Sequence, residues 1–185
     1  LMLEDARVDG IQLFDFRSKN ISLPEGLPTV EEAADTEPAV VLNTLPDSAT
    51  ELKAWFEGKA FQAIYFKNNI KEAYYLTGYG TREQFARLYK TIYQFPEFDV
   101  RYKLDDLSHY LKIDKILLIK MIQIFDELDF VTIDNGVMTV NKEAEKREIE
   151  ESKIFQDLKR LVKFQELMAL GTPQEIYDWL YKQEQ

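Results

Sequence analysis

Hydrophobic positions along this chain change their period several times, and each change marks an element. Val8 to Phe16 alternates loosely in β-formers and predicts one strand entering a loop at Asp15-Phe16-Arg17. Leu23 to Glu37 is rich in acids and is punctuated by Pro24 and Pro28, with Pro38 just beyond. It predicts loop, with a helical turn at Val30–Ala34. Ala39-Val40-Val41-Leu42-Asn43 is a continuous apolar run that suits a central strand of a parallel sheet. Ser48 and Glu51 are spaced as a capping box, Leu52, Trp55 and Phe56 share a helix face, and Gly58 supplies the stop. Phe61 to Phe66 then predicts the next strand, and crossovers of this kind are nearly always right-handed. Ala73 to Leu76 predicts a further short strand.

The period then lengthens. Thr81 and Gln84 form a second capping box before a helix over Arg82–Gln94, which carries Phe85, Leu88, Tyr89 and Ile92 inward and ends at Pro96. Val100 to Lys103 predicts a small strand, and Leu104, Leu107 and Leu111 mark a second helix. A Lys-Ile-Asp turn leads to a third helix, Ile113 to Leu128, with Leu117, Met121, Ile124, Phe125 and Leu128 on one face. Phe130–Ile133 and Val137–Val140 flank Asn135-Gly136, a pair that tolerates the positive φ angles of a tight hairpin. Helix, turn, helix and hairpin together predict a winged-helix-like block.

From Glu145 the charges alternate as in a solvated helix entry, and Ile154, Leu158, Leu161, Val162 and Gln165 line a helix to about Ala169. Gly171 is its stop, and Thr172-Pro173-Gln174-Glu175 opens a last helix. The fold class expected is therefore α/β plus mainly-α. A small parallel-type α/β sheet domain occupies residues 1–80 and a winged-helix-like domain 81–143. A C-terminal helical hairpin, 144–185, packs back on the rest.

Composition narrows the function. At 185 residues and 45% hydrophobic, the chain has material for packed domains. Nothing reaches the roughly 18 apolar residues of a membrane span, and Leu1 to Gly10 lacks the basic-then-apolar order of a signal peptide. The absence of an initial Met suggests a piece of a longer protein. With no cysteine there is no disulfide and no thiolate site, which fits a reducing, cytoplasmic compartment. The net charge of −10 counts against non-specific nucleic-acid binding, which draws on Lys and Arg. The excess is spread as −4 over residues 1–95, −4 over 96–143 and −2 over 144–185.

Candidate chemistry is sparse. There is no G-x-G-x-x-G and no G-K-[ST] loop, and Gly78-Tyr79-Gly80 before a helix is explained by a turn. Asp15 and Arg17 stand at a strand end, where open α/β sheets place ligands, although such a pair is ordinarily a local salt bridge. His109, the single histidine, lacks partners for a triad or a metal set. The third helix is too apolar, and too acidic at Asp126, Glu127 and Asp129, to read base edges. Phosphate contact would fall to Arg87, Lys90, Lys115 and Lys120. Scaffold or docking module is the resulting expectation, against a winged-helix transcriptional regulator with a ligand-sensing α/β half and a small α/β enzyme acting at Asp15 and Arg17.

One resemblance spans essentially the whole chain. The order DFR, VVLNTLP, FQAIYF, TREQFARLYK, FDELDFVTIDNGVMTVN, EESKIFQDLKRL and TPQEIYDWL resembles the C-terminal region of the RecJ family from Gram-positive bacteria. The resemblance implies an accessory region of a 5′→3′ single-stranded-DNA exonuclease of recombination and repair. It also implies a DHH-type catalytic core holding Mg²⁺ or Mn²⁺, and contact with single-stranded-DNA-binding protein. No DHH cluster is present here, so no catalytic or metal residue carries over and no cofactor is expected in this chain.

Overall fold

The computed structural model describes residues 5–18, 20–95 and 97–182. The chain is mixed α/β and divides into two compact units, residues 1–73 with 163–185, and residues 74–162.

The first unit is built on a four-stranded sheet. β1 (Ala6–Val8) and β2 (Ile11–Asp15) are an antiparallel hairpin where a single strand was expected. The break is Asp9-Gly10, whose φ angles of 51° and 81° make the two-residue turn that Asp-Gly favours. β3 (Ala39–Thr44), α1 (Ala49–Phe56) and β4 (Ala63–Asn69) follow as strand, helix and strand. The sheet order is β1-β2-β4-β3, with β4 parallel to both neighbours.

This corrects the placement of β3, which lies at the edge, while β4 is central. The apolar run is still explained, because the free side of β3 is closed by loop. Val41 N–H donates to the Pro28 carbonyl at 3.0 Å, and its own carbonyl accepts from Val30 N–H at 3.1 Å. Val40, Val41 and Leu42 are consequently buried. Ser48 Oγ caps α1 by accepting from Glu51 N–H, and Gly58 follows the helix end at φ 73°. The last turn of chain, α7 (Pro173–Tyr181), packs against β1 and β2 with Ile176, Tyr177 and Leu180 buried.

The second unit opens with α2 (Tyr74–Thr77), a single helical turn where a strand was expected. Four apolar residues are too few to fix a period. Here Tyr74 is buried in the unit's core while Leu76 is 73% exposed. α3 (Arg82–Gln94) has the expected bounds and a complete Thr81–Gln84 box. Pro96, its expected terminator, lies outside the described residues.

β5 (Glu97–Asp99) precedes α4 (Val100–Leu111), so the small strand ends where it was expected to begin. Asp99 sets that boundary: its carboxylate accepts from Arg101 N–H and starts the helix at Val100. α5 (Lys115–Glu127) buries Leu117, Leu118, Met121, Ile122, Ile124 and Phe125. β6 (Val131–Asp134) and β7 (Val137–Val140) turn at Asn135-Gly136, φ 55° and 82°, in the expected hairpin. The three strands form an antiparallel sheet in the order β5-β7-β6.

Beyond Asn141 the chain stays non-helical through Glu148, apart from a turn at Lys142-Glu143, so the alternating charges are not yet a helix. A 3-10 turn at Ile149–Glu151 precedes α6 (Lys153–Leu170), whose first half belongs to the second unit and whose second half to the first.

Candidate functional site

Asp15 and Arg17 come together, but as a clamp. Both Asp15 oxygens receive the guanidinium, from Nε at 2.9 Å and Nη2 at 3.0 Å, and the two side chains are 1% and 7% exposed. Arg17 Nη1 donates to the Met168 carbonyl at 3.1 Å, and Asn68 Nδ2 donates to the same oxygen at 2.8 Å. That carbonyl is one of the last four of α6, which have no partner within the helix. A cation there also complements the negative end of the helix dipole. The pair holds a helix end, with each of the three guanidinium nitrogens of Arg17 donating within the fold.

The four basic candidates are dispersed in their engagements. Arg87 on α3 donates to the Leu111 carbonyl at 3.0 Å, capping the end of α4. Lys115 pairs with Asp105 at 2.8 Å, and that bond holds the Asp105 carboxyl below its ordinary value. Lys120 sits 5.8 Å from the Tyr74 ring centroid, half-buried. Lys90 is exposed on α3. His109 is exposed, with Nδ1 2.8 Å from the Asp105 carbonyl oxygen. Among the described residues, no group of three or more His, Asp or Glu side chains could hold a metal ion.

Two concave features belong to the second unit. The larger, about 480 Å³, lies between α3 and residues 144–150, over an aromatic floor that includes Phe85, Tyr89, Phe130 and Phe155. Its rim mixes Arg82, Lys146 and Arg147 with Glu145, Glu148 and Glu150. Close by, Glu127 joins α5 to the start of α6. Its carboxylate accepts from the Ser152 hydroxyl, from Lys153 N–H at 2.8 Å and from Ile154 N–H at 3.1 Å. Burial pushes the Glu127 carboxyl up, but these donors and Arg147 outweigh it and hold the group below its ordinary value.

The smaller feature, about 260 Å³, opens between the end of α3 and α4. Phe95 and Tyr110, 56% and 70% exposed, are its walls, and Phe98 and Leu107 its floor. Asp106 also lines it, and an adjoining groove shares Phe95 and Phe98 and runs on to Lys103, with Glu97 and with Asp99, the latter paired with Arg101. Lys103, Asp106, Leu107 and Tyr110 fall at i, i+3, i+4 and i+7, one stripe of α4. Tyr93 and Tyr102 stand nearby in sequence, 44% and 77% exposed. Each has a cation over its ring: Lys142 Nζ at 5.1 Å from Tyr93 and the Arg101 guanidinium at 5.3 Å from Tyr102. Sequence reasoning missed this surface. The available signal was aromatic residues off the Leu104, Leu107, Leu111 stripe, where a solvated helix face would carry polar side chains.

Comparison with known proteins adds the following. A model of the family described as "single-strand DNA-specific exonuclease, C terminal domain" matches residues 21–180. The single-stranded-DNA-specific exonuclease RecJ of Bacillus subtilis (strain 168) is 26% identical over 217 residues, covering 98% of this chain and 28% of that relative. The chain thus spans under a third of the relative's length. No solved structure matches.

Proposed function

Because the chain belongs to the family of the C-terminal domain of single-strand DNA-specific exonucleases, we propose that it is a non-catalytic accessory region of a RecJ-like 5′→3′ exonuclease. It would position single-stranded DNA, or dock a partner such as single-stranded-DNA-binding protein, beside a catalytic core elsewhere in the parent chain. On this reading the parent acts in recombination and repair in the cytoplasm, with Mg²⁺ or Mn²⁺ held by its catalytic core.

The match to a C-terminal domain over residues 21–180 carries the reading. Two features of the fold support a scaffold role. The order β5-β7-β6 joins a strand before α4 to the hairpin after α5, which supports reading this part as a winged-helix-like block. Within it α5 spends six of its thirteen residues on the core, leaving little face for base edges. Phosphate contact by Arg87, Lys90, Lys115 and Lys120 belongs to the same proposal, with Lys90 the one whose charge is least engaged.

The test is direct. The purified chain, incubated with 5′-labelled single strands and Mn²⁺, is expected to leave them at full length. Metal-dependent shortening that tracks the protein through purification overturns the non-catalytic assignment.

A further inference from the structure

We infer that the slot between Phe95 and Tyr110 is a nucleobase site for single-stranded DNA, with Asp106 accepting from the base's exocyclic amine and Lys103 meeting the adjacent phosphate. The inference rests on the accessory assignment above and names the surface that it leaves open.

The occupant follows from the shape and chemistry of the site. Two largely exposed rings, Phe95 and Tyr110, line one opening together with the more buried Phe98 and Leu107, an apolar surround that suits a flat aromatic group. Exposing rings in this way has a solvation cost that a folded core does not require, and base stacking on aromatic side chains recovers it. The polar groups are few and convergent, as in sites that orient a ligand. An ionised Asp106 can only accept hydrogen bonds, so it selects bases with an amino group and disfavours thymine. Lys103, one helical turn before Asp106 on the same α4 stripe, supplies the charge that a phosphate needs. Tyr102 with Arg101 and Tyr93 with Lys142 repeat the ring-and-cation pairing to either side.

A protein partner fits less well. The exposed large hydrophobics that line the slot are both aromatic, and its aliphatic lining, Ile92 and Leu107, is buried rather than presented as a rim. The larger cavity at residues 144–150 is weaker ground, because Phe85, Phe125 and Phe155 there are buried in the core rather than exposed.

Affinity at this slot comes from stacking more than from charge. With Lys103 and Lys142 as the phosphate contacts, the slope of log affinity against log salt is expected near −1.4, about −0.7 per contact for a single strand.

The experiment is anisotropy titration of the chain with fluorescein-labelled oligo-dC, oligo-dA and oligo-dT at several salt concentrations. The wild type is expected to bind dC and dA more tightly than dT. Phe95→Ala and Tyr110→Ala should each weaken binding about 5- to 100-fold. Asp106→Ala should erase the preference over dT. All three positions are solvent-facing, and far-UV circular dichroism checks that the variants fold. A second readout needs no variant: irradiated oligonucleotides carrying 5-iododeoxycytidine should crosslink at Phe95 or Tyr110.

Binding that survives Phe95→Ala and Tyr110→Ala but is lost on Arg87→Glu and Lys90→Glu overturns the slot and leaves the accessory assignment standing on its phosphate patch. No binding to any single strand also overturns the slot, whereas the accessory assignment is decided separately by the nuclease assay.

Discussion

The two units differ in charge and in what fills them. The first, residues 1–73 with 163–185, carries 17 acidic and 9 basic residues, net −8, whereas the second, residues 74–162, carries 16 and 14, net −2. Most of the chain's net negative charge thus sits in the unit built on the parallel strands, because the bases and not the acids are unevenly shared. That unit also places an ion pair in its interior, Asp15 with Arg17. The second buries no charged residue among those described. Both interiors are aromatic: Phe56 makes ring contacts with Phe61 and Tyr181 in the first, and Phe125 with Phe85, Tyr89 and Phe130 in the second. Their surfaces differ more. The exposed large rings among the described residues, Tyr79, Tyr93, Phe95, Tyr102 and Tyr110, are all in the second unit, beside exposed Leu76, Ile119 and Ile133, while the first exposes Ile21 and Leu170. A net charge of −8 opposes a polyanion more strongly than the −2 of the second unit does. Net charge of the whole chain conceals this division.

The largest expected effects come from breaking each interior in its own way. Phe125→Ala removes a 2%-exposed ring and should cost about 3–5 kcal/mol. Arg17→Met leaves Asp15 buried without its cation and should cost about the same. The distinction lies in rescue. Asp15→Leu with Arg17→Met removes both charges and should recover most of the loss, since a buried pair can often be replaced by apolar residues at little net cost. Urea unfolding at pH 7 measures all three variants, by far-UV circular dichroism for Phe125→Ala in the second unit and by fluorescence for the other two. The two tryptophans, Trp55 and Trp179, both belong to the first unit, so their fluorescence reports that unit without contribution from the second. A double variant as unstable as Arg17→Met would show that the pair is required for more than charge balance.

Local features were the legible part of the sequence. The caps at Ser48, Thr81 and Thr172 and the Asn135-Gly136 hairpin are where local chemistry puts them, because each is satisfied by residues within three or four positions. Asp9-Gly10 is the same kind of local signal, set among β-formers that by themselves favour one unbroken strand. Long-range closure was not legible. The covering of β3 depends on Pro28 and Val30, and the meaning of Asp15–Arg17 depends on Met168, 151 positions from Arg17. The sequence shows an Asp–Arg pair at a strand end; only the fold brings a helix C-terminus onto it. The slot was hidden for a similar reason. Its walls come from the end of α3 and from α4, and its floor draws on β5.

An intermediate effect sharpens the contrast through pH. Glu127 lies in the second unit, where its carboxylate receives the Ser152 hydroxyl and two backbone N–H groups. Its folded value is lowered from 4.5, so its contribution is fully present above the unfolded value and fades as pH falls through the lower folded one. Stability of the second unit should therefore decline with acid below about pH 4.5, and Glu127→Gln should flatten that decline. Amide hydrogen exchange at the start of α6 reads the site directly. Equal acid sensitivity of those amides in wild type and variant would remove Glu127 as the cause.

The smallest effect is the most controlled, because each unit contains one complete Thr-headed box of matching geometry. Gln84 N–H and Glu175 N–H each donate to the threonine hydroxyl at 3.1 Å, and each threonine N–H donates back to the side-chain oxygen at 2.9 Å. Thr81→Ala and Thr172→Ala should each cost about 0.5–2 kcal/mol at pH 7. The boxes part company in acid. Gln84 does not titrate, whereas Glu175 is held below its ordinary 4.5 by the Thr172 N–H and hydroxyl. Protonation removes the charge that the helix N-terminus favours, so the Thr172 box weakens as pH falls below about 4.5 while the Thr81 box does not. Measured at pH 7 and again at pH 3, the cost of Thr172→Ala should shrink and that of Thr81→Ala should hold. A parallel fall in both would mean that acid loosens the helices by some route other than the caps, and that the two boxes cannot serve as matched probes of their units.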